Sequence, residues 1–203
     1  MTATHKTKAR NRSIKVDRIG CAQKAIGDIE QGLNLFCLTH GQFSLIDALV
    51  TISRSIGQCR LSVCTWTAGS EDLQSMASML GAGYFESVRW LVDRSFITRQ
   101  PAYCRRMREL FGDGCIRTTR THAKFITMRN DRFSLAIRTS MNLNRNARME
   151  SIEISDDVAM ADFMDAEFDR YFSGDDGAFD QDLAEDKTAG VKAGTVQARR
   201  LFA

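Results

Sequence analysis

The chain has little proline and histidine, and its cysteines lack the spacing of a zinc site. Its 203 residues include one proline and three histidines, and its six cysteines contain no Cys-x-x-Cys pair. Several of the cysteines lie in apolar runs, which favours buried free thiols over a disulfide framework or a zinc site. A chain of this length can bury one sizeable core, so we expect one domain with tails.

Long apolar runs are also missing. No run approaches the roughly 18 residues that a membrane-spanning helix requires, and the first residues are basic and polar, without the apolar core of a signal peptide. We therefore expect a soluble, cytoplasmic protein that has no membrane partner.

The net charge of +3 is unevenly distributed along the chain. Residues 89–148 carry thirteen arginines and one lysine against four acids, a net charge of +10, whereas residues 150–187 carry fourteen acids against two basic residues, a net charge of −12. A basic surface attracts polyanions, and the planar arginine side chain suits phosphate. The alternative interpretation is that these arginines are solvated or pair with the acidic segment.

Three segments are expected. Residues 1–18 are predicted to be a flexible basic arm, which either touches a nucleic-acid backbone or only increases solubility. Residues 19–172 are predicted to fold as the domain. Residues 173–203, rich in Gly, Asp, Ala and Lys, are predicted to be a mobile tail.

The order of apolar patterns predicts an α/β fold, a mixed β-sheet flanked by helices. Helices are predicted over residues 43–56, 70–80, 103–111 and 158–172, and strands over residues 61–66 and 88–92. Ser44 and Asp47 form a possible capping box at the first of these helices. Asn130 and Asp131 separate two apolar runs, which is typical of a β-hairpin.

Residues suited to phosphate chemistry cluster around this hairpin. His122 and Lys124 are two positions apart, so on a strand both would point to the same face. An imidazole can act as nucleophile or general acid-base near neutral pH, and a lysine stabilises charge on a phosphoryl oxygen. The hairpin would return Ser140 and Asn142 to the same end of the sheet, where Glu150 could orient the histidine ring.

In this order, His122-x-Lys124, Thr139-Ser140-x-Asn142 and Arg148-x-Glu150 resemble the motif of the phospholipase D superfamily. Within it, the chain looks like the small nucleases that carry one motif per chain, and the resemblance covers roughly residues 40–172. It implies that His122 is the nucleophile, that Lys124, Ser140 and Asn142 bind phosphate, and that Glu150 orients the histidine, so that the catalytic group is His122, Lys124 and Glu150.

The motif departs from the family pattern at two positions. Arg129 stands where the family has an aspartate, with Asp131 two residues further on, and Thr139 stands in place of a glycine. The spacing to Thr139 is also about three residues longer than in the family. These differences predict a longer hairpin.

The resemblance also implies a reaction and a partner. Similar enzymes use two histidines across one phosphodiester, so a single motif predicts a homodimer with a site shared across its two-fold axis. Neither a metal ion nor another cofactor is expected. The basic region favours nucleic acid as substrate, DNA more than RNA, and the expected contacts are Trp66, Arg120, Arg138, Arg145 and Arg148.

Two other functions remain open at this point. One is a nucleic-acid-binding module that keeps the fold and the basic cleft but does not cleave, which the changes at Arg129 and Thr139 would explain. The other is a phosphodiesterase for lipids or nucleotides, whose binding to DNA would be weak and insensitive to salt.

Overall fold

A computed structural model describes residues 13–17, 22–144 and 147–174. Its helices are α1 (Ala22–Ile26), α2 (Leu45–Ile56), α3 (Ser70–Gly81), α4 (Ser95–Arg99), α5 (Pro101–Phe111) and α6 (Val158–Phe172). Its strands are β1 (Ser13–Asp17), β2 (Asn34–His40), β3 (Cys59–Thr65), β4 (Phe85–Asp93), β5 (Ile116–Thr119), β6 (Phe125–Arg129), β7 (Ser134–Thr139) and β8 (Met149–Asp156).

The strands form one sheet in the order β1-β2-β8-β7-β6-β3-β4-β5. At its two ends the pairs β1–β2, β3–β4 and β4–β5 are parallel, and the pairs between them are antiparallel. The predicted α/β fold with a mixed sheet flanked by helices is therefore confirmed. None of the helices in the described part of the chain is long and apolar enough to cross a membrane.

The main core lies on one face of the sheet, where β3 and β6 present Leu61, Val63 and Ile126. Helices α2, α3 and α5 contribute apolar side chains to the same buried cluster, which also includes the fully buried Trp90. The opposite face is covered by α6, whose buried Phe168 packs in a smaller cluster with residues of β3 and β4. The sheet is thus the middle of three layers, as burial of both of its faces requires.

Local signals in the sequence set several of these elements. The predicted capping box is present, because the Ser44 hydroxyl accepts from the Asp47 amide and the Asp47 carboxylate accepts from the Ser44 amide. The predicted hairpin is β6–β7. In its turn, Asn130 Oδ1 accepts from the amides of Arg132 and Phe133, and its Nδ2 donates to two carbonyls of the α2–β3 connection.

The predicted limits of the basic arm were wrong in one respect. Ser13–Asp17, assigned to the flexible arm, forms β1 and pairs in parallel with β2. The strand signal was hidden by the surrounding lysines and arginines, since edge strands tolerate charged residues that interrupt an apolar pattern. The remaining residues of the arm, and the tail from residue 175 onward, lie outside the described residues.

Ion pairs join α6 to the sheet around a polar cavity of about 640 Å³. Arg129 of β6 lies 2.6 Å from Asp162 and 3.2 Å from Asp165, while Arg89 of β4 lies 3.3 Å from Asp165 and 2.5 Å from Asp169. The Thr127 hydroxyl donates to Asp165 at 2.7 Å. Two arginines of the basic region are therefore neutralised by the acidic segment, as the alternative interpretation of the charge pattern expected.

Candidate functional site

His122, Lys124, Ser140 and Glu150 lie at one end of the sheet, where β3 ends, β6 begins, β7 ends and β8 begins. His122 and Lys124 were predicted to lie on strands or at their ends. Residues 121–124 connect β5 to β6, so Lys124 lies directly before a strand and His122 is not within one. The physical reason is the bonding of this segment to side chains. The Thr121 amide donates to the Asp93 carboxylate at 3.0 Å, and the Ala123 amide donates to the Thr121 hydroxyl at 3.0 Å.

Lys124 is the half-buried cation of the site. Its Nζ donates to the carbonyl of His122 at 3.0 Å, which ties the side chain to the backbone of the proposed nucleophile. Desolvation lowers the pKa of Lys124 from its ordinary value, and the negative charge of Glu150 opposes this shift. The two residues are linked through β7, because the Thr139 amide donates to the Lys124 carbonyl at 3.2 Å and the adjacent Ser140 hydroxyl donates to Glu150.

Ser140 and Glu150 are in direct contact across the ends of β7 and β8. The Ser140 hydroxyl donates to Oε2 of Glu150 and accepts from the Ser151 amide at 2.9 Å. The preceding Thr139 hydroxyl donates to the Ser151 carbonyl at 2.7 Å and accepts from the Met141 amide at 3.0 Å. Thr139 thus fixes the turn that presents Ser140.

Asn142 lies in the loop that follows β7. This loop is held against the β3–α3 connection, where the Gly69 amide donates to the Leu143 carbonyl at 2.5 Å and Ala68 forms a β-bridge with Leu143. Within the described part of the chain, Oδ1 of Asn142 is buried without a hydrogen-bond partner. Buried amide groups are normally paired, so this oxygen is an unpaired acceptor, and contact of Asn142 with phosphate remains a prediction.

An aromatic and a guanidinium group complete the site. The rings of Trp66 and His122 have centroids 5.3 Å apart, and the guanidinium carbon of Arg99 lies 3.8 Å from the Trp66 centroid. The contact of Trp66 with His122 places the tryptophan at the site. Orientation of the His122 ring by Glu150 remains a prediction.

Sequence reasoning missed Arg99 and Asp93. Asp93 is buried at the end of β4, and it accepts from Ser95 as well as from Thr121. A usable signal was present, since Asp93 follows the apolar run of a strand, and side chains at the carboxyl ends of parallel strands often line a site. Arg99 gave no such signal, because it is one of thirteen arginines in its region.

The other expected nucleic-acid contacts have different surroundings. Arg138 forms an ion pair with Glu153 at 2.6 Å. Arg120 is exposed directly after β5, and Arg148 is exposed just ahead of β8. Arg145 lies outside the described residues. Contact of these arginines with nucleic acid remains a prediction.

Comparison with known proteins assigns the chain to no family. No family model matches the sequence, and no curated protein matches it. Among solved structures, the chain is similar to NucT from Helicobacter pylori, with 10% sequence identity and a TM-score of 0.49 over 71% of this chain and 99% of that chain.

The electrostatic coupling within the site can be measured directly. We expect Glu150→Gln to lower the pKa of Lys124 further, because the variant removes the negative charge that opposes desolvation. An NMR titration of the Lys124 side chain in both proteins tests this, with the exposed Glu86→Gln as control. An unchanged Lys124 pKa in Glu150→Gln would show that the two groups do not interact.

Proposed function

We propose that the protein is a metal-independent phosphodiesterase that cleaves nucleic acid through a phosphohistidine intermediate. The observation that carries this proposal is the grouping of His122, Lys124, Ser140 and Glu150 at one end of the sheet, although they come from separate segments. An imidazole beside a fixed ammonium, with hydroxyl and amide donors nearby, suits attack on a phosphodiester.

In the proposed reaction, a ring nitrogen of His122 attacks phosphorus. A P–N bond forms, the bond from phosphorus to the leaving oxygen breaks, and a second histidine donates a proton to that oxygen. The same histidine then removes a proton from water, whose oxygen attacks phosphorus and breaks the P–N bond. Lys124 stabilises the charge on the phosphoryl oxygens, and Glu150 stabilises the cationic imidazole. Asn142 binds the same phosphoryl group, and Ser140 donates to it once its hydroxyl has left Glu150.

The second histidine in this proposal is His122 of another copy of the chain. A two-fold interface presents the same patch twice, so two sites facing each other would form one composite site. The substrate we propose is DNA in preference to RNA. It is bound through Trp66 and the arginines at the end of the sheet where His122 lies.

The test is cleavage of labelled single- and double-stranded DNA and RNA in the presence of EDTA. Cleavage of any of these by the wild-type protein supports the proposal and identifies the substrate. Salt-sensitive binding of the same substrates without cleavage would overturn it.

That second outcome is the one expected for a binding module without catalytic activity. The observation that favours this alternative is the environment of Arg129, which is paired with Asp162 and Asp165 instead of supporting the site. Steep loss of affinity with increasing salt would still indicate several phosphate contacts.

Subunit mixing tests the shared site. Wild type and His122→Ala are mixed in equal amounts and their subunits exchange at random. The mixture should have roughly a quarter of the activity of the same total amount of pure wild-type protein, because only wild-type pairs hold both histidines. Cleavage assays before and after exchange give the comparison. Retention of half of the activity after complete exchange would show that each chain works alone.

A further inference from the structure

Arg99 is held rigidly beside the site by three contacts that do not neutralise its charge. Its guanidinium lies over the Trp66 ring, its Nη2 donates to the Trp66 carbonyl at 3.3 Å, and its Nε donates to the Ser95 hydroxyl at 3.0 Å. An exposed arginine held in this way loses little conformational freedom when it binds a ligand.

Five of the other arginines of the basic region differ in this respect. These five, which form ion pairs with carboxylates, are Arg89, Arg106, Arg108, Arg129 and Arg138. Arg99 forms no ion pair with a carboxylate among the described residues. Its positive charge is therefore available to an anion from outside the chain.

A single buried carboxylate fixes both Arg99 and the segment of His122. One oxygen of Asp93 accepts from the amide and the hydroxyl of Ser95, and that hydroxyl in turn accepts from Arg99. The other oxygen accepts from the Thr121 amide, next to His122. The position of the guanidinium is thus set relative to the imidazole by Asp93 as well as by Trp66.

The spacing between these two groups suits neighbouring phosphates of one strand. The guanidinium carbon is 3.8 Å from the Trp66 centroid, which is 5.3 Å from the His122 centroid, so the two groups are at most about 9 Å apart. Successive phosphates along one nucleic-acid strand are closer together than this upper limit. A guanidinium forms two parallel hydrogen bonds with one phosphate.

We propose that Arg99 binds a phosphate adjacent to the phosphate that His122 attacks, and that the site therefore prefers a polynucleotide to an isolated phosphodiester. This inference rests on the proposed function. It adds a second phosphate-binding position, formed by Arg99 on the Trp66 ring.

The test uses oligonucleotides whose cleavage position has been mapped. In one oligonucleotide the linkage before that position is an uncharged methylphosphonate, and in a second one the linkage after it is. For one of the two sides, the wild type should lose about ten- to a hundredfold in kcat/KM, the value of a charged hydrogen bond to phosphate. With the unmodified oligonucleotide, Arg99→Gln should have a kcat/KM that is lower than that of the wild type by the same factor. The methylphosphonate should not lower the kcat/KM of Arg99→Gln further. Arg105→Gln, an exposed arginine of α5, is the matched control and should respond to the methylphosphonate as the wild type does.

The outcomes separate the two proposals. An equal methylphosphonate effect in wild type and Arg99→Gln would overturn the role of Arg99 while leaving the proposed function intact. Failure of the wild type to cleave any oligonucleotide would overturn the proposed function, and the inference would fall with it.

Discussion

Replacing His122 with alanine should reduce cleavage by at least about 10⁴-fold, the order of loss that follows removal of a nucleophile from an enzyme site. The loss should appear in kcat, because the phosphorus–nitrogen bond of the proposed intermediate cannot form without the imidazole. Affinity for nucleic acid should change little, since binding depends mainly on the charge of lysine and arginine side chains. Single-turnover cleavage and fluorescence anisotropy on the same substrate measure the two quantities.

His40→Ala is the matched control for this variant. His40 is exposed at the end of β2 and is not among the residues grouped with Lys124 and Glu150. The control should cleave at the wild-type rate. If His122→Ala retained a substantial part of the wild-type rate, the cleaving group would have to be another side chain.

Lys124→Gln should lower kcat about 10²- to 10³-fold, the usual cost of removing one group that stabilises transition-state charge. Glutamine keeps a hydrogen-bond donor near the His122 carbonyl but carries no charge, so the variant isolates the contribution of the ammonium. Substrate affinity should fall much less than kcat. Lys24 is an exposed lysine of α1, away from the site. The kcat of Lys24→Gln therefore shows the effect of losing one positive charge elsewhere.

A fall in affinity alone would contradict this role. In that case Lys124 would bind substrate and transition state equally, as the many other basic side chains do. The circular dichroism spectrum and thermal stability of Lys124→Gln should remain close to those of the wild type, because the removed charge is only half-buried.

The elements with strong local signals could be predicted from the sequence. Helix α6 follows its amphipathic pattern, α2 begins at its capping box, and the β6–β7 hairpin turns at Asn130. Each of these signals involves residues close together in the chain, so no knowledge of the tertiary structure was needed. The return of Ser140 to the end of the sheet near Lys124 followed from the same hairpin, whereas the contact of Ser140 with Glu150 was not predicted.

The features that were missed depend on contacts between distant segments. The segment at His122 is not a strand because Asp93, from another strand, takes one of its amide hydrogen bonds. Arg99 is distinguished from the other arginines only by its position on Trp66, which lies 33 residues away in the chain. Neither contact follows a periodic pattern, so neither could be read from the sequence.

The pairing of Arg129 with α6 limits which side chains position 129 can hold. An aspartate at position 129 would face Asp162 and Asp165, and three like charges would then share one side of the sheet. An acid at position 129 would therefore require loss of acids from α6. The charge of this strand position and the charge of the helix that covers it are thus set by each other.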